Sequence, residues 1–371
     1  MSTLIFGIVG KQDSGYFRYQ GWPTVAKAED GTLYAVSSGH RLDHVCPFGK
    51  NLMYVSHDEG QSWSAPMIVN DTHLDDRDAG LVCWGEGNML LTWFNNEPDV
   101  FDSPGRQRMY PNITEPLSQA MLEKWKELPI EEYGSFSRIS RDGGKTWSKP
   151  RRAPVSAPHG PIRRADGSFF YVGAERLSGY DMPAGTICAV ESHDDGESWE
   201  LVSVLPVPKE HDGKPLGGIC EPHCIDLGNG VILAAVRCFL LEGDRSVDQF
   251  KFTMLTCRST DNGRTWSEPV FMERYGAPPH FMLHSSGALI LCCGKRVPPY
   301  GQYARISYDK GLSWEQDVMI SPKAPLPVVD QGYPSTVELS NGELLTTYYQ
   351  RLPGDDFPSI LYTRWSLDEI Q

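Results

Sequence analysis

Five copies of one eight-residue turn constrain this chain more than any other feature. They read SHDEGQSW (Ser56 to Trp63), SRDGGKTW (Ser140 to Trp147), SHDDGESW (Ser192 to Trp199), STDNGRTW (Ser259 to Trp266) and SYDKGLSW (Ser307 to Trp314). The shared pattern is Ser-x-Asp-x-Gly-x-x-Trp, and each copy follows a short alternating run such as Asn51-Leu52-Met53-Tyr54-Val55. Asp offers side-chain-to-backbone bonds and Gly a positive φ, the two things a tight hairpin needs. The Trp is placed to tuck beneath the turn and bury a large apolar face. A turn repeated five times along one chain points to a radial repeat architecture rather than to unrelated loops.

A second, fainter repeat supplies the rest of the unit. GWPTVAKAEDGTLYAVSSG, DAGLVCWGEGNMLLTWFN, PHGPIRRADGSFFYVGAE, EPHCIDLGNGVILAAVRC, PPHFMLHSSGALILCCGKR and GYPSTVELSNGELLTTYYQ each hold a β run, a Gly turn and a second β run. We read each as the two inner strands of one blade, with the Asp-containing turn joining the two outer strands. Six hairpins and five turns then interleave until the last blade. That blade is expected to close by pairing Ser359-Ile360-Leu361-Tyr362 with the start of the chain, which hides the strand edges. The fold class predicted is all-β: one six-bladed β-propeller domain over residues 1–371. A hydrophobic fraction of 40%, with 36 Gly and 28 Pro, suits such a turn-rich protein.

One interruption breaks the regularity. Residues 97–134 form a long insertion in the second blade, and Leu117, Met121, Leu122, Trp125 and Leu128 within it have helical spacing. A helix packed on the blade edge, a lid over a pocket, and a contact between copies in a homo-oligomer are all open readings.

Composition limits the partners. A formal net charge of −14 argues against nucleic acid, which calls for a basic stripe. No run approaches the ~18 apolar residues of a membrane helix. The opening MSTLIFGIVGKQDSG has no basic region before its short apolar stretch and no small-residue cleavage site after it, so it reads as mature sequence. Nine cysteines, an odd number without CxxC spacing, fit reduced thiols better than a disulfide framework. Together these features lead us to expect a cytoplasmic protein, and the Asn112-Ile113-Thr114 glycosylation pattern is read as chance.

The topology sorts residues onto two faces. The Gly hairpins and the Asp turns share one face. The other collects Trp22, Asp78, His159, Glu221, His280 and Tyr333 from strand starts, and His40, Arg41, Asn95, Arg176, Arg237, Arg296 and Arg351 from strand ends. Basic groups converging with carboxylates, His and Tyr suit a pocket for an anionic ligand.

With these turns and this blade order, the chain resembles the non-viral sialidases, glycoside hydrolases that remove terminal sialic acid, over essentially its whole length. The resemblance implies a Tyr nucleophile, a Glu that activates it, an Asp acid/base in the first blade and three Arg that bind the substrate carboxylate. Glu221-Pro222-His223, followed by a β run and Arg237, is similar to the family's Glu-then-Arg segment. Tyr333, in Gly332-Tyr333-Pro334-Ser335, is similar to the nucleophile segment of the last blade. Arg237 and Arg296 match the second and third arginines, with Arg305 the rival for Arg296. Asp43, in His40-Arg41-Leu42-Asp43-His44, stands about where the acid/base is expected. A phenol near pKa 10 needs a close carboxylate to take its proton. Guanidinium forks grip carboxylate in a bidentate way that Lys does not.

The departure lies at the first arginine. The family opens blade one with Arg-Ile-Pro, whereas this chain has Gly21-Trp22-Pro23, and none of Arg18, Arg41 and Arg77 aligns with it. The charged run Leu74 to Gly80 places Arg77 and Asp78 as further candidate ligands, and His159, His223 and His280 open or flank strands on the same face. The leading expectation is therefore an exo-glycosidase acting on a terminal carboxylated sugar, without cofactor or metal. Two alternatives stay open: a uronate-directed lyase, with Tyr333 or a His as base and a metal on His159, His223 and His280, and a glycan-binding propeller without turnover.

Overall fold

The computed structural model describes residues 4–102, 104–176, 183, 185–240, 251–322 and 329–369. These residues form six antiparallel sheets arranged as the blades of a propeller. Blade 1 runs Tyr19–Lys27, Leu33–Arg41, Lys50–Ser56 and Met67–Asn70, and blades 2 to 5 repeat that up-and-down order. In blade 6 the strands Gly332–Glu338, Leu344–Arg351 and Pro358–Trp365 take their outermost partner from the other end of the chain, Ile5–Gly10. Ile8 pairs with Leu361 and Gly7 with Tyr362, so both ends of the chain close one sheet, as the sequence predicts.

The apolar cores lie between neighbouring blades. Leu33, Ala35 and Leu52 of blade 1 pack against Leu345, Tyr349 and Ile360 of blade 6, and Phe170, Val172 and Ala189 of blade 3 pack against Ala234, Val236 and Leu255 of blade 4. The half-buried Trp63 and Trp266 of the repeated turns seal these two seams. Each turn is built the same way. In the first, Asp58 Oδ1 accepts the Ser62 N–H at 2.9 Å, and Ser56 Oγ accepts the Gly60 N–H at 2.8 Å while donating to Asp58 at 2.8 Å. Glu59 and Gly60 both have positive φ (55° and 82°), and the other four turns repeat that pair. The inner-strand hairpins lie beside these turns: Gly143 N–H donates to Gly87 O at 2.9 Å, and Ser340 N–H to Glu59 Oε1 at 3.0 Å.

The insertion sits between the second and third strands of blade 2. It carries two α-helices, Pro104–Met109 and Pro116–Trp125, with 3₁₀ turns around them. Its small core joins Phe101, Ile113, Leu122, Trp125 and Tyr133 to Val45 and Leu74 from the loops of blades 1 and 2. Trp125 Nε1–H anchors it by donating to His73 O at 2.8 Å. Leu117, counted on the apolar face of the predicted helix, is exposed instead.

Candidate active site

Four blades open with the same irregularity. Strand pairing skips between Gly21 and Thr24, Arg77 and Gly80, Cys220 and His223, and Gly332 and Ser335. The residues inside the skips are Trp22, Asp78, Glu221 and Tyr333, and each has a φ between 51° and 56°. A left-handed conformation costs a bulky residue free energy, and bulges of this kind re-aim a side chain at a functional site. Here they turn Asp78, Glu221 and Tyr333 into one cavity of about 720 Å³.

Tyr333 and Glu221 meet at its floor. The Tyr333 hydroxyl donates to Glu221 Oε1 at 2.5 Å, and Arg237 pairs with Glu221 Oε2 while its Nη1 also lies 3.3 Å from the Tyr333 oxygen. Burial pushes the Glu221 carboxyl up, but Arg237, the Tyr333 hydroxyl and Arg296 outweigh it and hold the group below its ordinary value. Burial and the Glu221 charge push the Tyr333 phenol well above 10, against Arg237 and Arg296. The resting pair is therefore a phenol donating to a carboxylate.

The walls are cationic. Arg77, Arg106, Arg176, Arg237 and Arg296 line the cavity against three carboxyl groups, Asp78, Glu221 and Asp330. Arg296 Nε–H is fixed on Gln331 O at 3.0 Å and Nη2–H on the Tyr349 hydroxyl at 3.3 Å, and Arg176 Nε–H is fixed on Ser156 Oγ at 3.0 Å. Asp78 is buried, its Oδ1 has no hydrogen-bond partner among the described residues, and burial raises it to about 6 against the pull of Arg77. In a chain of net charge −14, this concentration of guanidinium in one concavity focuses a positive field where an anion would dock.

Trp22 fills the bulge of blade 1, where the sequence resemblance leads us to expect an arginine. Its ring is fully buried and carries two guanidiniums, Arg77 at 4.3 Å and Arg41 at 4.9 Å from its centroid. Only Arg77 reaches the cavity. Arg41 is wholly buried in a bidentate pair with Asp75, its second bond at 3.0 Å. Arg18 pairs with Asp356 at 3.7 Å, and Arg305 lies buried on Asp317 at 2.9 Å, so Arg296 is the arginine of blade 5 that lines the cavity.

Other expected residues lie elsewhere. His159, His223 and His280, on the innermost strands or at their start, pack ring on ring at 4.7–5.8 Å and are not among the residues lining the cavity. Their ring nitrogens turn to local partners: Phe281 N–H donates to His223 Nδ1 at 3.0 Å, Thr336 N–H to His280 Nδ1 at 3.3 Å, and His159 Nδ1 meets Thr24 Oγ1 at 3.1 Å. Burial lowers all three imidazoles, and among the described residues no group of His, Cys, Asp or Glu is arranged to hold a metal ion, so the metal considered for these histidines has no site here. Asp43 is half-buried, its carboxylate accepts the His44 N–H at 2.7 Å, and it does not line the cavity.

Several lining residues escape a reading of the sequence. His44, Asp330, Arg106 and Tyr110 all border the cavity. Asp330 is half-buried and accepts from His44 Nδ1 at 2.8 Å, from the Tyr349 hydroxyl at 2.9 Å and from the Tyr19 hydroxyl at 2.9 Å. Burial pushes Asp330 up, but His44, Arg296 and Tyr349 outweigh it and hold the carboxyl far below its ordinary value. Met109 and Tyr110 come from the insertion, which therefore forms part of the cavity wall.

Among the described residues no helix is long and apolar enough to cross a membrane, and all nine cysteines are free thiols. The family model for the BNR/Asp-box repeat matches residues 54–65 and 138–149. No curated protein matches the chain. Among solved structures, a Dyadobacter fermentans protein of unknown function is similar at 18% identity and TM-score 0.76, covering 99% of this chain and 98% of that one. The NanB sialidase of Streptococcus pneumoniae is similar at 14% identity and TM-score 0.65, covering 99% and 71%. The GH93 α-L-arabinofuranosidase of Fusarium graminearum, solved with arabinobiose, is similar at 11% identity and TM-score 0.65, covering 99% of both chains. The chain is thus a six-bladed propeller with BNR/Asp-box repeats whose structural neighbours include sialidases.

Proposed function

We propose that this protein is a retaining exo-glycosidase acting on a terminal sugar that bears a carboxylate, such as a sialic, related nonulosonic or uronic acid. The observation that carries the reading is the part-buried Tyr333–Glu221–Arg237 contact on the floor of a cavity walled by arginine. The structural neighbours include enzymes named for an acidic sugar and for a neutral one, so the fold does not choose the substrate. The arginines favour the acidic one: Arg237, Arg296 and Arg77 present guanidinium from three blades to one space.

The chemistry follows from the pair. Glu221 takes the phenolic proton as Tyr333 attacks the anomeric carbon, and Arg237, in contact with both oxygens, offsets the charge that moves between them. A nucleophile that is neutral at rest also avoids repelling an anionic substrate. The aryl glycoside formed on Tyr333 is then opened by water from the face of the departed group, so two inversions give net retention. The resemblance to sialidases gives the proton at the leaving oxygen to Asp43, which does not line the cavity. A turnover screen of sialosides, other nonulosonic glycosides and uronic-acid oligosaccharides, with product stereochemistry followed by NMR, tests the proposal. Release of the retained anomer supports it. An inverted anomer, or an unsaturated product absorbing in the near ultraviolet, overturns it.

A further inference from the structure

The loop that follows the second strand of blade 1 presents a histidine to the cavity, not the aspartate beside it. His44 lines the space and Asp43 does not. The His44 ring is held on three sides: Nδ1 lies 2.8 Å from Asp330 Oδ1, the ring stacks on Tyr110 at 5.6 Å and 11°, and its edge meets Trp22 at 4.9 Å. Its backbone carbonyl accepts from Arg41 at 3.0 Å and from Arg77 at 2.9 Å, which pins the loop itself. The ring is thus held in one orientation on the wall of a polar cavity, as a group that transfers a proton needs to be.

Asp330 sets the chemistry of the ring. Two tyrosine hydroxyls also donate to it, so it stays ionised and holds the proton of His44 on Nδ1. Nε2 is then the nitrogen left for the cavity. Tyr333 lies on another side of Trp22, with ring centroids 6.4 Å apart, so nucleophile and imidazole flank one indole across the same space.

We propose that His44, oriented by Asp330, is the acid and base of this site in place of Asp43. The inference rests on the glycosidase reading above. In the first step Glu221 takes the Tyr333 hydroxyl proton as the Tyr333 oxygen bonds to the anomeric carbon, the bond from that carbon to the leaving oxygen breaks, and the proton on His44 Nε2 passes to the leaving oxygen. In the second, a water oxygen bonds to the same carbon, one of its protons passes to His44 Nε2, and the bond to Tyr333 breaks as Glu221 returns its proton to the phenolate oxygen. Both steps balance without any further reactant.

The surrounding charges say when the imidazole carries that proton. Asp330, Asp43, Tyr19 and Tyr110 face His44, together with Arg77 and Arg296. Burial lowers its pKa, Arg77 and Arg296 lower it further, and Asp330 opposes them. A substrate carboxylate docked on Arg77 and Arg296 would cancel their part, so ligand binding charges the ring that must then act as acid.

The test compares a glycoside of an acidic phenol, whose departure needs no proton, with a glycoside of an alkyl alcohol. His44→Gln should slow the alkyl glycoside by about 10²–10⁴-fold and the aryl glycoside far less, with azide restoring aryl turnover by giving a glycosyl azide. Asp330→Asn should narrow the pH profile rather than copy that selectivity. Equal losses on both substrates in His44→Gln, or the selective loss appearing in Asp43→Asn instead, would overturn the assignment. Failure of the parent reading looks different, because Tyr333→Phe would then keep turning over both substrates. A second measurement needs no turnover. In ¹⁵N NMR of the free protein His44 should be the Nδ1–H tautomer, and N-acetylneuraminic acid should move its titration to higher pH by about one pH unit. The Nε2–H tautomer in the free protein, or a titration unmoved by a sugar acid that binds, refutes the proposal.

Discussion

Replacing Glu221 by Gln separates the structural and chemical parts of the site. Glu221 lies largely out of solvent between Tyr333 and Arg237, its side chain 17% exposed, and both of its oxygens are engaged. Gln keeps the volume and one acceptor but removes the charge that compensates Arg237. Leaving one member of a buried pair uncompensated costs about 3–5 kcal/mol. For 371 residues, unfolding entropy of about 2.1 cal/mol/K per residue gives about 0.8 kcal/mol/K, so the melting temperature should fall by about 4–6 °C. Loss of the base should also slow turnover by about 10²–10⁴-fold, with KM little changed. Differential scanning calorimetry and steady-state kinetics on the same preparation read the two effects. A variant that melts with the wild type and keeps its rate within tenfold would refute both the buried pairing and the role of base.

Four further outcomes follow from the same structure. Asp78 has its folded pKa raised to about 6, so the fold favours its neutral form. The resulting penalty is absent below the unfolded value near 4 and grows to about 3 kcal/mol above pH 6, and Asp78→Asn should therefore raise the melting temperature at pH 8 but not at pH 4. The turn carboxylates run the other way. Hydrogen bonds from Ser62, Thr146 and Thr265 lower Asp58, Asp142 and Asp261 to about 2, so their contribution is full above pH 4 and is lost on acidification towards pH 2. Asp58→Ala should accordingly lower melting at pH 7, with kcat unchanged. Arg296→Lys loses the planar fork and should raise KM for carboxylated glycosides at least tenfold. Gly80 packs its Cα against the next blade, where an added Cβ would meet Gly160 N at 2.4 Å. Gly80→Ala should cost more than ~2 kcal/mol in denaturant titration.

The architecture was legible because its signal is local and repeated. Each Ser-x-Asp-x-Gly-x-x-Trp turn specifies its own hairpin through bonds within eight residues, as Asp58 with Ser56 and Ser62 shows. The spacing of these turns then orders the blades. The strand starts Asp78, Glu221 and Tyr333 can also be placed, because the up-and-down order of strands in each blade puts the starts of the innermost strands on one face. What stayed hidden is what happens at those starts. Trp, Asp, Glu and Tyr do not announce a positive φ as Gly does, so the four bulges leave no trace in the sequence beyond position. Strand order likewise says little about the propeller axis, where His159, His223 and His280 close on one another instead of on a ligand. Asp330 escapes the sequence because a loop carries it to the cavity and no periodicity governs a loop, and Arg106 because it sits on a short helix of the insertion whose placement the repeats do not define. The substitute for the missing arginine was ambiguous for a related reason. Arg41 and Arg77 both stack on Trp22, and only tertiary packing sends one to Asp75 and the other to the cavity wall.

The central claim is that Tyr333 bonds covalently to the sugar. A carboxylated glycosyl fluoride with a second fluorine beside the anomeric centre forms such a bond quickly and releases it slowly. Incubation followed by peptide mass spectrometry should find one glycosyl unit on the peptide containing Tyr333, and none in Tyr333→Phe. An adduct on another residue, or steady turnover of matched substrates in Tyr333→Phe, would contradict the account.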